Sequence, residues 1–290
     1  MRIVSFTHPQ GSSWGVVSGH GVIDLGARPH EAGETLAQAL ATGGLIDIAA
    51  ACADATVDWS LDEIQLLPPV PGPGKVLCVG LNYASHIKEM GRPLEDYPTV
   101  FTRFSDTFVG HDQPLVRPHN SVAFDYEGEL AIVIGSGGRH IPVERALEHV
   151  AGYTCLNDGS IRDFQRHTHQ FTPGKNFPGS GAVGPWLVTR DEVPDITAET
   201  ITTRLNGVVV QQSGLDDLVF DVAAIVAYCS SWTRLSAGDV IATGTPGGVG
   251  AARDPQLWMK PGDVVEVEIS GVGLLRNTVI DESVPTGPRA

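Results

Sequence analysis

A proline-rich stretch divides the chain and limits what it can fold into. The segment from Leu67 to Gly74 reads LPPVPGPG and contains four prolines in eight residues. Proline has no backbone N–H and clashes with the preceding helical turn, so this segment excludes a helix and a central strand. The sequence therefore predicts a linker at 67–74, which separates a small N-terminal domain at 1–66 from a larger domain at 75–290.

The N-terminal part combines short strands and helical turns. RIVSF, WGVVS and GVIDL are typical of strands separated by glycine and serine turns. The segment ETLAQALATGGLIDIAAACA then predicts helical segments that are interrupted at Gly43 and Gly44. The expected unit is a small α/β domain.

Strand patterns dominate the part after the linker. DYEGELAIVIG alternates in polarity and then becomes continuously apolar, and DVVEVEISGVGLLRNTVI alternates as a hairpin does. Asn206 and Gly207 provide a hairpin turn. The best helix pattern is DLVFDVAAIVAYCSSW, which has its apolar residues on one face. The larger domain is therefore predicted to be α+β and β-rich.

The charge balance argues against a nucleic-acid partner. The chain of 290 residues has 19 Lys and Arg against 34 Asp and Glu, a formal net charge of −15. Binding to a phosphate backbone depends on basic patches. If the substrate is an anion, individual basic side chains must overcome the negative field locally, so each Lys or Arg near a candidate site is informative.

Cysteine use and hydropathy predict a cytoplasmic protein without a membrane partner. The four cysteines (Cys52, Cys78, Cys155 and Cys229) are widely spaced and form no C-x-x-C pair, which indicates free thiols in a reducing compartment. The first residues, MRIVSFTHPQ, lack the apolar core of a signal peptide. No apolar run reaches the length needed to span a membrane.

Three acidic residues form a candidate metal site. Glu127 and Glu129 are two apart on a predicted strand, so their side chains point to one face, where their repulsion and desolvation call for a compensating positive charge. For these two residues alone, a solvated strand edge is the competing interpretation. Asp158 ends the apolar strand GYTCLN and is placed to complete the set. Three carboxylates with water suit Mg²⁺ or Mn²⁺.

Histidine and cysteine ligands are less favoured. Zinc is less expected because no close set of Cys and His residues accompanies the carboxylates. His167 and His169, in the segment HTH, could be proposed as ligands. Two histidines in a polar loop are more often solvated side chains.

Six segments occur in an order that resembles a known family. GLNYASHIKEM, FDYEGELAIVIG, LNDGSIRDFQ, GKNF, VGPW and ATGTPGGVG are similar to the successive signature blocks of the fumarylacetoacetate hydrolase family. The resemblance covers roughly residues 74–282. It implies a mixed β-sandwich or roll of the C-terminal type found in this family, with the catalytic machinery in the larger domain. It also implies a homodimer.

The resemblance assigns roles to residues of this chain. It implies that Glu127, Glu129 and Asp158 are the metal ligands. It implies a lid after GLNY that carries a catalytic pair, here His86 and Glu89, whose i, i+3 spacing lets a carboxylate orient an imidazole on one helical face.

The resemblance also implies the residues that contact the substrate. Arg162, Gln165 and Lys175 match polar positions that would bind the oxygen on which negative charge develops. Lys175 is flanked by Gly174 and Asn176, which predicts a flexible, accessible stretch. The turn formed by Thr243, Gly244 and Thr245 would hold a substrate carboxylate. These assignments place Lys175 with the catalytic residues and the others with the substrate-binding residues.

The chain departs from the family pattern at three positions. Arg103 stands where the family often has Lys, which keeps the charge but changes its geometry. Gly159 and Ile161 stand where the family often has Val and Ala. None of these changes removes a predicted metal ligand, so they bear on the substrate.

The resemblance favours hydrolysis of a carbon–carbon bond in an acylpyruvate, such as fumarylpyruvate, or in fumarylacetoacetate, within aromatic or small-acid catabolism. His86, oriented by Glu89, would activate water, and pyruvate would leave as its enolate. The same site could serve a 2-oxo acid isomerase, hydratase, decarboxylase or lyase. A non-catalytic protein that binds a ligand in a metal-assembled pocket is the alternative from another class.

Overall fold

The computed structural model describes residues 1–28, 33–42, 44–89 and 95–283. The strands are, in chain order, β1 (Arg2–His8), β2 (Gly11–Ser18), β3 (Gly21–Asp24), β4 (Trp59–Ser60), β5 (Gln65–Leu66), β6 (Val76–Gly80), β7 (Thr99–Arg103), β8 (Phe108–Val109), β9 (Leu115–Arg117), β10 (Phe124–Asp125), β11 (Gly128–Ile134), β12 (Val150–Asn157), β13 (Ser160–Ile161), β14 (Gly181–Thr189), β15 (Thr200–Leu205), β16 (Val208–Gly214), β17 (Val240–Ala242), β18 (Val264–Ile269) and β19 (Gly273–Asp281). The α-helices are α1 (Leu36–Thr42), α2 (Gly44–Cys52), α3 (Ala84–Glu89), α4 (Arg162–Gln165), α5 (Thr172–Lys175) and α6 (Val222–Trp232). Short 3₁₀ helices lie at Leu61–Glu63, Ser105–Thr107, Val143–His149, Arg190–Glu192, Ile196–Ala198, Leu215–Asp217 and Gly250–Ala252.

A large mixed sheet contains most of the strands. Its order is β4-β3-β2-β1-β14-β12-β11-β17-β6-β7, with β5 paired to β1 and β8 paired to β14. Strand β11 lies inside this sheet and is hydrogen-bonded antiparallel to β12 and β17. Every residue of β11 and β12 is buried. Such burial is what a short, continuously apolar run predicts for a strand covered on both faces.

A second sheet packs against the large one. Its order is β16-β15-β18-β19-β9. Buried and half-buried residues alternate along β18, as the alternating segment VVEVEI predicts. Strands β18 and β19 contact β12, and β19 also contacts β14. The apolar faces of the two sheets are thereby buried against each other. The prediction of a strand-rich α+β fold is confirmed.

The N-terminal strands continue the large sheet. Strand β1 pairs antiparallel with β14, and Ile3 lies opposite Leu187. Residues 67–74 form neither helix nor strand. The proline-rich segment is fastened to β1, because the hydroxyl of Ser5 donates a hydrogen bond to the carbonyl of Pro69 at 2.8 Å. The proposed domain bounds stay a prediction.

The cysteines do not form disulfides. Cys78, Cys155 and Cys229 are buried free thiols, and Cys52 is a half-buried free thiol. Within the described ranges, no helix is long and apolar enough to cross a membrane. The cytoplasmic compartment stays a prediction.

The burial of β11 can be tested by truncating one of its side chains. Ile132 is 0% exposed. We expect Ile132→Ala to lower the free energy of unfolding by about 2–5 kcal/mol, because it leaves a cavity in the core. The control is Ile46→Ala, since Ile46 is 82% exposed, and we expect a change within about 0.5 kcal/mol. Urea unfolding measures both values, and equal losses in the two variants would contradict the central position of β11.

Candidate active site

The register of two buried strands brings the three predicted metal ligands together. Glu129 lies in β11 and Glu127 precedes that strand, whereas Asp158 follows β12. The two strands are antiparallel, with Gly128 opposite Asn157. The N–H of Asp158 therefore donates to the carbonyl of Glu127 at 2.8 Å. One carboxylate oxygen from each acidic residue lies within 4.8 Å of the others, and all three residues are buried.

The second sheet packs against β11, here called the ligand strand, on the face opposite to the carboxylates of Glu127 and Glu129. A Cβ atom at Gly128 would lie 2.0 Å from Oγ1 of Thr203, which belongs to β15. Glu127 and Glu129 flank this glycine and so point away from β15. The glycine allows the close approach of the two sheets, and the two carboxylates face the other side.

Basic side chains pair with two of the three carboxylates. Nζ of Lys175 lies 2.5 Å from Oε2 of Glu127 and 2.6 Å from Oδ2 of Asp158. Nη2 of Arg162 lies 2.6 Å from Oε1 of Glu127. Nη1 of Arg103 lies 2.6 Å from Oδ1 of Asp158. These ion pairs offset part of the cost of burying the two carboxylates.

Glu129 differs from the other two ligands because it forms no ion pair with the described residues. One of its oxygens accepts the N–H of Gly244 at 2.7 Å. Burial raises the pKa of Glu129 well above its usual value, and the charges of Asp158 and Glu127 raise it further. Burial also opposes ionisation of Glu127, but the neighbouring arginine and lysine outweigh it and lower its pKa to about 2.

The residues of this site fit a hard divalent cation. Three buried carboxylates supply oxygen ligands, which Mg²⁺ and Mn²⁺ prefer. Lys175 is already shared between Glu127 and Asp158. A further cation beside Glu129 would therefore stabilise its ionised form. The triad is therefore able to bind a divalent metal ion, as the sequence predicts.

Two short helices position the basic and amide groups. Arg162 and Gln165 are the first and last residues of α4, and Nη1 of Arg162 donates to Oε1 of Gln165 at 2.9 Å. Lys175 ends α5 and is 1% exposed, so the expectation of an accessible stretch around it is wrong. Gly174 permits this burial because a Cβ there would lie 2.4 Å from the backbone nitrogen of Gln165.

Asp125 is a buried acidic residue of the site that the sequence analysis missed. Its Oδ2 accepts from Nε of Arg162 at 2.7 Å. Its carboxylate also accepts the N–H groups of Gly250 and Ala251 at 2.7 and 3.0 Å. The guanidinium of Arg162 is thereby held between Asp125 and Glu127. The alternation D-x-E-x-E in the segment DYEGE is the sequence signal that identifies this residue.

Arg103 holds Asp158 through a planar fork. Besides its ion pair with Asp158, Nη1 donates to the carbonyl of Gly159 at 3.0 Å, and Nη2 donates to Oγ of Ser180 at 2.8 Å. A lysine ammonium cannot reproduce this fork, because its donors spread from a single atom. The departure from the family pattern therefore changes how this ligand is held.

The turn Thr243–Thr245 is hydrogen-bonded to the ligand strand. The hydroxyls of Thr243 and Thr245 donate to carbonyl oxygens of β11 at 3.0 and 2.9 Å. The N–H of Gly244 is bonded to Glu129. Thr245 lines the cavity described below. The substrate-binding role of this turn stays a prediction.

The predicted catalytic pair lies on α3. The backbone of His86 and Glu89 is helical, whereas their side chains lie outside the described residues. Helix α3 follows closely after Gly80 and Leu81, which line the cavity. The catalytic roles of His86 and Glu89 stay a prediction.

A cavity of about 670 Å³ is lined by the carboxylates of Glu127 and Glu129. The rings of Phe101 and Phe171, in a T-shaped contact with centroids 5.6 Å apart, form an apolar part of its wall. Polar lining residues that the sequence analysis did not assign to the site are Arg166, Thr168 and His169. His167 instead contacts the ring of Phe164, with centroids 4.7 Å apart.

Comparisons with known proteins identify the family. The family model for the fumarylacetoacetate (FAA) hydrolase C-terminal domain matches residues 75–280. The chain belongs to the fumarylacetoacetate hydrolase family. It is 39% identical to the human mitochondrial oxaloacetate tautomerase FAHD2B, over 97% of this chain and 92% of that protein.

Solved structures of the family have the same fold. A fumarylacetoacetate hydrolase from Exiguobacterium antarcticum superposes with a TM-score of 0.85 at 37% identity, covering 97% of this chain and all of that one (100%). A maleylpyruvate hydrolase from Sphingobium sp. SYK-6, in complex with manganese(II) and pyruvate, gives 0.80 at 28% identity, with 98% and 100% coverage. The predicted family and fold type are confirmed. The prediction of a divalent-metal cofactor agrees with the buried triad and with the manganese in this similar structure.

Replacing Glu129 tests the electrostatic account of the triad. In metal-free protein, we expect Glu129→Gln to raise the melting temperature by about 2 °C or more, because a neutral amide replaces a carboxyl group whose ionisation is opposed by burial and by the charges of Asp158 and Glu127. Mg²⁺ or Mn²⁺ should stabilise the wild-type protein but no longer stabilise the variant. The control is Glu144→Gln, which changes an exposed carboxylate and should behave as wild type. A variant that retains the metal-induced shift would contradict the assignment of Glu129 as a ligand.

Proposed function

We propose that this protein is a divalent-metal-dependent keto–enol tautomerase that acts on a small 2-oxo acid of the oxaloacetate type. The observation that carries this proposal is the buried triad of Glu127, Glu129 and Asp158 beside the donor groups of Lys175 and Gln165. The similarity to a human oxaloacetate tautomerase over nearly the whole chain supports the choice of reaction.

The donor groups of the chain suit a reaction in which charge develops on one substrate oxygen. Lys175 and Arg162 are cations on the cavity wall. The carbonyl of Gln165 accepts from Arg162, so its NH₂ group is the end available to a substrate oxygen. Glu127, Glu129 and Asp158 would hold a divalent cation, which would supply electrophilic polarisation of the 2-oxo group. Fixed donors around that oxygen stabilise its negative charge in the transition state.

Tautomerisation requires one group that moves a proton. The enol loses the proton of its hydroxyl group, and the neighbouring carbon gains a proton as the ketone forms. We assign this transfer to His86, with Glu89 orienting the imidazole. The i, i+3 spacing of the two residues on α3 supports this assignment. The rings of Phe101 and Phe171 make part of the cavity wall apolar, and electrostatic interactions are stronger beside an apolar wall than in bulk water.

Hydrolysis of an acylpyruvate is the second candidate, and the cavity volume favours it. About 670 Å³ lies within the range of pockets that take drug-sized ligands, so there is room for an acyl group beyond the 2-oxo acid. In that reaction His86 takes a proton from water, and the oxygen of that water adds to the distal carbonyl. The carbon–carbon bond then breaks to give a carboxylate and the enolate of pyruvate.

A two-substrate assay separates the candidates. The enol form of oxaloacetate and a panel of acylpyruvates are each followed by loss of enol absorbance and by enzymatic detection of pyruvate, with Mg²⁺, Mn²⁺ or a chelator. We expect metal-dependent loss of the oxaloacetate enol without pyruvate. Metal-dependent release of pyruvate from an acylpyruvate would establish the hydrolase. Pyruvate formed from oxaloacetate at the rate of enol loss would indicate decarboxylation and overturn the proposal.

The role of His86 predicts a large effect on turnover. We expect His86→Ala to reduce kcat by about a hundredfold or more, the usual scale of general acid–base catalysis, and to leave metal-induced stabilisation intact. Glu89→Gln should reduce kcat by a smaller factor, because the imidazole remains. The control is His119→Ala, since His119 is an exposed histidine that pairs with Glu282. A loss of less than about threefold in His86→Ala would contradict the assignment.

A further inference from the structure

The charges around the triad determine how much negative charge the site can accept. The buried charged groups of the site are the three carboxylates of the triad (Glu127, Glu129 and Asp158), the basic groups of Arg103, Arg162 and Lys175 that pair with two of them, and the carboxylate of Asp125, which pairs with Arg162. Four negative and three positive side chains leave a net charge of −1 when all are ionised. One divalent cation changes this to +1, which balances the single carboxylate of a simple 2-oxo acid.

Arg166 adds a positive charge to the same cavity. Arg166 is one of the residues that line the cavity, and it is exposed rather than buried among the acidic residues. It forms no ion pair within the described ranges, whereas Arg162 is held by two carboxylates. With Arg166 included, the metal-loaded cavity carries a net charge of +2, which exceeds what a monocarboxylate neutralises.

Backbone hydrogen bonds fix the position of Arg166 at the end of α4. The N–H of Arg166 donates to the carbonyls of Arg162 and Asp163, both at 3.2 Å, at the end of α4. Arg166 therefore follows directly after Gln165, which lines the same cavity. Thr168 also lines it, and its hydroxyl accepts the N–H of Gln170 at 3.1 Å, which shapes the segment after Arg166.

We propose that Arg166 binds a second carboxylate of the substrate and makes the site selective for 2-oxo dicarboxylic acids over 2-oxo monocarboxylic acids. The planar guanidinium matches a carboxylate in a two-point contact, and its position on an exposed part of the wall suits the distal end of a substrate whose 2-oxo end lies at the triad. This inference rests on the proposed function to the extent that a 2-oxo acid occupies the triad. It applies equally to tautomerisation and to hydrolysis.

Two ligands of equal chain length test this inference by binding. Oxaloacetate and 2-oxobutyrate both have four carbons and differ in whether the chain ends in a carboxylate or a methyl group. Their dissociation constants are measured by calorimetry on the Mg²⁺-loaded protein. We expect Arg166→Gln to weaken oxaloacetate about tenfold or more, on the scale of a lost charge-assisted hydrogen bond, and to change 2-oxobutyrate less than twofold. Arg166→Lys should restore part of the selectivity.

The control for a general loss of positive charge is Arg145→Gln. Arg145 is an exposed arginine that pairs with Glu148 and does not line the cavity, so this variant should bind both ligands as wild type does. Equal weakening of both ligands in Arg166→Gln, or weakening of neither, would overturn the inference. Melting temperatures of the variants confirm that each one folds.

The outcome for Arg166 is separable from that for the proposed function. If wild-type protein binds oxaloacetate more tightly than 2-oxobutyrate but turns over neither oxaloacetate nor acylpyruvates, the proposed function fails, and Arg166→Gln still tests the second carboxylate. If turnover is observed and the ratio of dissociation constants is the same in Arg166→Gln and wild type, the inference on Arg166 fails alone.

Discussion

Burying three carboxylates within 4.8 Å of one another is the constraint that organises this structure. Each charge loses its hydration on burial, and the repulsion between them grows as water is excluded. Lys175 offsets much of this cost by bridging Glu127 and Asp158. Helix α5 packs against α4, and Gly174 of α5 permits their close approach, which lets the ammonium group of Lys175 reach that position. The surrounding fold therefore keeps positive charge beside the ligand strand.

The sequence predicts the ligands because their geometry is local. Two glutamates separated by one residue share a face of any strand, and Asp158 needs only the register of the adjacent strand to join them. The positions of Arg103 and Lys175 could not be predicted in this way. Arg103 is 55 residues from Asp158 along the chain, and Lys175 is 17 residues from it. Their burial beside Asp158 therefore depends on tertiary packing. A lysine beside glycine and asparagine is ordinarily exposed, but Lys175 is buried.

The site has two parts that differ in how strongly they are held. The triad and its basic partners are buried. Glu127 and Asp158 are fixed by ion pairs with Arg103, Arg162 and Lys175, and Glu129 is fixed by the N–H of Gly244. The wall that contains Arg166 and His169 is exposed and lies in a short loop after α4. The buried part suits a step shared by all reactions that pass through the enolate of a 2-oxo acid. The exposed part can change from one protein to another without disturbing the charge balance of the buried part, since its side chains take no part in that network.

The pairing of β1 with β14 makes the N-terminal residues part of the scaffold on which the site depends. Leu36 and Ile48 lie in the same buried cluster as Val133 and Leu156 of the ligand strands. The region that matches the family begins only at residue 75. A truncated chain that starts there would lose these contacts and expose unpaired backbone groups along β14, near Leu187. Such an open edge is a template for self-association, so the isolated catalytic region is expected to aggregate rather than to persist as a working fragment.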